Sequence, residues 1–235
     1  ETAKFFKPIL SAEEFLNGKK RWCLWLYGIN TTEYNKFTSI VSIIDRLREV
    51  RLKSSRPQLA EIPHLFAQIT QPQGFDFVLI PRHSSENREY IPMGYCDKTH
   101  IASDSCMLVA INECWLFGIL TSKMHMAWVK AVGGKLETRY RYSASLVYNT
   151  FPFPEISLNK RKIVEALAEE VLLTREHHSG KTLAEMYDPD HMPADLRAAH
   201  HALDMAVDGC YQSAPFNNDE ERLACLFKLY EKMTK

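Results

Sequence analysis

The sequence predicts an α+β fold: a mixed α/β domain over residues 1–154, followed by a small all-helical domain over residues 155–235. Three observations carry this reading. Apolar runs of strand length, stopped by Gly, Pro and Asn, recur up to residue 154. Beyond Pro152 and Pro154 the apolar residues fall at helical spacing instead. The charge balance changes sign at the same place, from 19 Lys and Arg against 14 Asp and Glu in residues 1–154 to 10 against 15 in residues 155–235. A basic first domain is compatible with phosphate contact and the acidic second one is not expected to be the main DNA-binding surface, so the two are expected to have different partners.

Hydrophobic content of 46% and charged content of 25% are those of a soluble globular protein. No apolar run approaches the roughly 18 residues of a membrane span. The start, ETAKFFKPIL, has no signal-peptide architecture and reads as part of a longer protein. The six cysteines (Cys23, Cys96, Cys106, Cys114, Cys210 and Cys225) form no C-x-x-C pair. They are expected to be free, mostly buried thiols in a reducing compartment rather than a zinc or disulfide framework.

Residues 1–20 read as a connector. Trp22 to Tyr27 is an apolar run of strand length, ended by Gly28 and Asn30-Thr31-Thr32. A helical pattern follows with Ile40, Ile43, Ile44 and Leu47 on one side, and Arg46, Arg48, Arg51, Lys53 and Arg56 on or just beyond the other. Phe75 to Pro81 is a strand stopped by proline. It leads into a loop, Arg82 to Pro92, dense in hydroxyls, arginines and carboxylates. A short strand is expected near Thr99 to Ala102, with Asp104 and Ser105 at its end, and residues 107–120 are expected to be buried. Ser122 can cap a helix from Lys123 to about Val132, terminated by Gly133-Gly134. In the last domain, Ile163, Leu167 and Val171 form one helical stripe. Leu196, Leu203, Val207 and Cys210 form a second, and Leu223, Leu226, Phe227 and Tyr230 a third behind an Asn217-Asn218-Asp219 cap.

After Gly134, Lys135, Glu137, Arg139 and Arg141 alternate with Leu136, Thr138, Tyr140 and Tyr142. A strand has a period of two, so the alternation predicts a row of ionic side chains on one face, with Tyr140 and Tyr142 turned to the core. An exposed strand of mixed charge would give the same pattern. So would a DNA-reading strand, because Arg pairs bidentately with guanine and Glu accepts from the cytosine amino group.

The catalytic inventory is negative. There is no glycine-rich phosphate loop, H-E-x-x-H or G-x-S-x-G motif. In His177-His178 and His200-His201, adjacent helical residues point about 100° apart and cannot grip one ion together, so these read as surface histidines. No catalytic site is expected in this chain.

Several segments nevertheless resemble one family in order. They are Phe15-Leu16-Asn17-Gly18 with Arg21 to Leu26, Ile80-Pro81-Arg82 with Ser84 to Arg88 and Tyr90-Ile91-Pro92, and Phe117 to His125 with Trp128. Arg141-Tyr142-Ser143, Tyr148 to Pro154, Leu183 to Pro189, and His200 to Asp204 before Tyr211 complete the set. Together they resemble the C-terminal third of the MmeI-like family, type IIG restriction-modification enzymes with a fused DNA adenine methyltransferase.

The resemblance implies that residues 1–154 are a target recognition domain for double-stranded DNA and residues 155–235 its helical C-terminal domain. An upstream methyltransferase domain of the same polypeptide would use S-adenosylmethionine and an Asn-Pro-Pro-Tyr motif. Some members add a nuclease, which would use Mg. No cofactor is expected in this chain, and the setting implied is bacterial or archaeal cytoplasm, with no membrane partner. Family base-reading positions map to Asp104 and Ser105 and to Glu137, Thr138, Arg139 and Arg141. Arg82, Ser84, Ser85, Arg88, Lys123 and Lys135 are the expected phosphate contacts. The alternative is a structural or protein-interaction module that docks the methyltransferase without reading bases.

Overall fold

Short strands feeding small sheets, followed by long helices, realise the predicted α+β class. The computed structural model describes residues 1–71, 74–111 and 113–235. In chain order come β1 (Phe6–Leu10), α1 (Ala12–Asn17), β2 (Trp22–Leu24), α2 (Thr31–Tyr34), α3 (Thr38–Leu52), β3 (Phe77–Pro81), β4 (His83–Ser84) and β5 (Gly94–Cys96). Then follow β6 (Ile101–Ala102), β7 (Cys106–Val109), α4 (Cys114–Leu120), α5 (Lys123–Val132), β8 (Gly134–Leu136) and β9 (Arg139–Arg141). A π-helical turn (Ala144–Tyr148) leads to α6 (Leu158–His177), α7 (Leu183–Met186), α8 (Ala194–Tyr211) and α9 (Asp219–Met233). The strands form three sheets of order β2-β1-β6, β5-β3-β7 and β4-β9-β8.

The chain packs as two units, Glu1–Ile9 with Lys20–Gln71 and Thr99–Ile101, and Leu10–Lys19 with Pro72–Lys98 and Ala102–Lys235. In the first, β1 and β2 pair antiparallel. Phe5, Leu26, Tyr34, Ile40 and Ile44 make a small core. The expected strand from Trp22 to Tyr27 is shorter than read, because the pairing ends at Leu24. Beyond Ile44, α3 is largely exposed. Arg51 turns back to donate to the carbonyls of Leu59 (3.0 Å), Ile62 (2.7 Å) and Leu65 (2.7 Å). Its guanidinium therefore closes the following loop, while Arg48 pairs with Asp45 at 2.8 Å.

The second unit has one main core running from Val78 to Leu226, and it takes in residues on both sides of position 154. Its packing does not divide at the expected boundary. Gly118 shows why α4 and α6 approach closely: a Cβ there would lie 3.0 Å from Ala168 Cβ and Val164 Cγ1 and 3.3 Å from Leu203 Cδ1. That approach sets the buried face of α6, which is Val164, Ala168 and Val171. Ile163, expected in the stripe, is 55% exposed and points away.

The α5 helix forms as predicted. Ser122 accepts from the His125 amide, and a Cβ on Gly133 would sit 2.4 Å from the Val129 carbonyl, so only glycine fits where the helix ends. Trp128 is buried against Phe227 and Tyr230 of α9, ring centroids 5.3 and 5.6 Å away.

Candidate nucleic-acid interface

Residues 77–84 run through two sheets in succession. In β3, Pro81 pairs with Cys106 of β7; two residues on, in β4, His83 pairs with Arg141 of β9. Arg82 lies between them and serves both. Its amide donates to the Ser105 carbonyl (3.0 Å) and its Nε to the Cys106 carbonyl (3.2 Å), while its own carbonyl accepts from the Tyr142 amide (2.8 Å). Two loops therefore hang from one short stretch of chain. One is the tight turn Ser103–Cys106, closed by Cys106 N–H donating to Ser103 O at 3.1 Å. The other is the β8–β9 hairpin. Asp104 and Ser105 thus lie on a turn bonded to the same Arg82 that holds β9 of the hairpin bearing Glu137, Thr138, Arg139 and Arg141.

The expected continuous strand from Lys135 to Tyr142 is in fact this hairpin, with Glu137 and Thr138 as its two-residue turn. Glu137 takes φ +57, a left-handed conformation that ordinarily selects glycine; positive φ at the first turn residue is the pattern of a type II′ hairpin. The turn changes which side chains share a face. Lys135 pairs with Tyr140 and Leu136 with Arg139, so Lys135 leaves the arginines' face and Leu136 joins it. Arg139, Arg141, Leu136 and His83 project outward. Ser84, Tyr140 and Lys135 project on the other side, where Tyr140 packs against the core. Tyr142 is buried as expected, its hydroxyl 2.8 Å from His125 Nε2.

Arg139 donates to Glu137 at 2.8 Å, with the two side chains 49% and 74% exposed. Glu86 borders the turn. A hydrogen bond from the Thr138 side chain, aided by the charges of Arg139 and Lys135, holds its carboxyl below the usual range. Arg141 is exposed and has no acidic partner among the described residues. Its cross-strand neighbour His83 has its pKa lowered by partial burial, then by Arg141, Arg139 and Arg82. Asp104 is exposed at the tip of its turn, whereas the Ser105 hydroxyl accepts from the Ala12 amide at 3.0 Å and lies 2.9 Å from that of Ser103.

The expected phosphate contacts separate into two groups. Arg82, Ser85 and Arg88 are half-exposed and Lys135 is exposed, all on the loop and hairpin around the site. Ser84 is 3% exposed and turned inward, which removes it from an outer surface. Lys123 is engaged at the start of α5: its amide donates to Asp204 at 2.7 Å and its ammonium stands 3.9 Å from the same carboxylate. Asp204 also accepts from the buried Tyr90 hydroxyl at 2.6 Å, yet burial still pushes its pKa up to about 6.

His200, read as a surface residue, is fully buried, 2.7 Å from the Tyr187 hydroxyl and stacked on Tyr90 at 4.1 Å. His178 pairs instead with Asp195 at 2.8 Å. Among the described residues no three His, Cys, Asp or Glu side chains are grouped to hold a metal ion. Sequence reasoning passed over His83 and Glu86, which flank the hairpin. Their nearness to it comes from strand pairing across more than fifty residues, for which the sequence carries no local signal.

Residues 1–155 match the family described as MmeI, target recognition domain, and residues 156–235 match MmeI, C-terminal domain. Among curated proteins, the chain is 42% identical over 241 residues to DNA methyltransferase A of Bacillus subtilis (strain 168), covering 100% of this chain and 27% of that protein. Among solved structures, it superposes at a TM-score of 0.94 and 42% identity on the type IIL restriction-modification enzyme MmeI in complex with DNA, covering 99% of this chain and 31% of that one. The chain thus spans about a third or less of the length of these relatives. No described helix is long and apolar enough to cross a membrane.

Proposed function

The chain belongs to the MmeI family, and from that premise we propose that it is the sequence-reading part of a longer DNA methyltransferase. It would dock on double-stranded DNA to present one adenine for N6 methylation. The observation that carries this reading is the pair of loops suspended from Arg82. One offers Asp104 and Ser105 and the other Glu137, Thr138, Arg139 and Arg141, so donors and acceptors from two sheets hang from one short stretch of chain.

In the major groove Arg139 and Arg141 donate to guanine N7 and O6, and Glu137 accepts from a cytosine amino group. Asp104 and Ser105 meet a neighbouring base pair. The Arg139–Glu137 pair does not obstruct this, because an exposed ion pair contributes only about 0–1 kcal/mol and gives way to base edges at little cost. Arg82, Ser85, Arg88 and Lys135 fix register on phosphates. The target adenine is then extruded into a catalytic site supplied by the rest of the longer protein. S-adenosylmethionine, and Mg where a nuclease is fused, would be held outside residues 1–235. We take the longer protein to work in bacterial or archaeal cytoplasm.

The test exchanges the two charges, Glu137→Arg with Arg139→Glu, in the full-length protein and maps the methylated sites by sequencing. A change confined to one base position, with the melting temperature kept, is the expected result. An unaltered motif would favour a docking module that reads no bases.

A further inference from the structure

The outward face of the β4-β9-β8 sheet carries one titratable side chain with no role assigned above. His83 stands directly opposite Arg141, so imidazole and guanidinium project to the same side, with Cβ atoms about 5 Å apart as in any antiparallel pair. It follows Arg82, the residue whose backbone joins the Ser103–Cys106 turn to β9. Its position is therefore on the stretch of chain from which both loops that carry the proposed readers hang. It is half-buried, and its ring makes no hydrogen bond among the described residues. On the other side of Arg141 stands Gly134, which has no side chain to cover the row.

Burial and the charges around it set its chemistry. Partial burial and then Arg141, Arg139 and Arg82 disfavour the imidazolium form. A neutral imidazole keeps one donor and one bare nitrogen acceptor, whereas every guanidinium beside it only donates. A neutral ring is also a poor phosphate ligand beside three arginines, since it releases no counterion.

Resting on the reading that this face meets DNA, we propose that His83 is a further specificity-determining residue. It contacts the edge of a base pair lying between the one read by the Asp104–Ser105 turn and those read by the hairpin. Its N–H suits a purine N7 and its bare nitrogen an adenine or cytosine amino group, so the two tautomers favour different bases.

The experiment uses the full-length protein and selection from a randomised duplex library, with His83→Ala, His83→Gln and Arg141→Ala run in parallel and melting temperatures confirming that each variant folds. His83→Ala is expected to lose roughly tenfold or more preference at one base position, leaving the salt dependence of binding unchanged. His83→Gln, which retains a donor and an acceptor, is expected to keep or shift that preference rather than abolish it. Uniform weakening across all sequences with a shallower salt slope makes His83 a phosphate contact and overturns the proposal. An unchanged motif for both His83 variants, while Arg141→Ala alters its own position, overturns it and leaves the reading of the face intact. If neither position alters the motif, the reading of the face fails and the proposal with it.

Discussion

Two arginine–carboxylate pairs in the same packing unit have similar contact distances and opposite settings. At the hairpin tip, Arg139 and Glu137 meet at 2.8 Å with side chains 49% and 74% exposed. Between α9 and α8, Arg222 and Asp208 meet at 2.6 Å with side chains 11% and 5% exposed, and a second bond of 3.0 Å makes the pairing bidentate. Solvation, not distance, separates their uses. Water replaces either partner of the first pair at little cost. The second has no such substitute: losing one partner strands a buried charge. The hairpin tip can therefore lose its ion pair at little cost, whereas the α8–α9 contact cannot.

The largest test of that contrast is Asp208→Ala. It leaves Arg222 with the half-exposed Asp219, 3.2 Å away, as its acidic partner among the described residues and is expected to cost about 3–5 kcal/mol, read as a lower denaturant midpoint. An effect below about 1 kcal/mol would place the buried pair in the same class as the exposed one.

Acid gives the next effect, since the buried body also holds neutral histidines. Burial lowers the pKa of His125 to about 3 and that of His200 well below its usual value. Both groups bind protons more weakly folded than unfolded. The stability they contribute is present above pH 6.5 and is lost as pH falls toward the folded values. For His125 this is about 2 kcal/mol at pH 5. Asp204 has the opposite sign: its raised pKa favours folding below about pH 6 and offsets part of the loss. The melting temperature is expected to fall from pH 7 to pH 5, and to fall further in Asp204→Asn. A flat profile would show that the buried histidines do not behave as neutral groups.

The smallest effect belongs to the tip. Glu137→Gly relieves a left-handed residue and removes an exposed ion pair, so a net stabilisation of about 0–1 kcal/mol is expected. Under the proposed function the recognised motif changes at the same time. Higher melting with altered recognition would mark Glu137 as a residue kept at some cost to the fold. A clear destabilisation would mean that its carboxylate holds the turn together.

What was readable in advance was local. Ser122 with Gly133-Gly134 bounded α5 correctly, and Asn218 caps α9 as expected, because caps and stops act over three or four residues. The hairpin was not readable. Glu137-Thr138 carries neither the Asn-Gly nor the Gly that announces a two-residue turn, and Leu136 to Tyr142 alternates as a strand would. A turn of two residues preserves that alternation while moving Lys135 to the other face, so period alone cannot detect it.

The sequence by itself determined the α+β class, the segments of family resemblance and the ends of α5 and α9, since propensity, capping and side-chain chemistry are properties of short stretches. Tertiary structure alone decided which of those residues meet. Pairing of β4 with β9 set His83 beside Arg141, and Arg82 joined two loops more than thirty residues apart. Close packing at Gly118 chose Val164 over Ile163 for the core. In each case the deciding energy comes from burial and hydrogen bonds between distant segments, which no window of sequence contains.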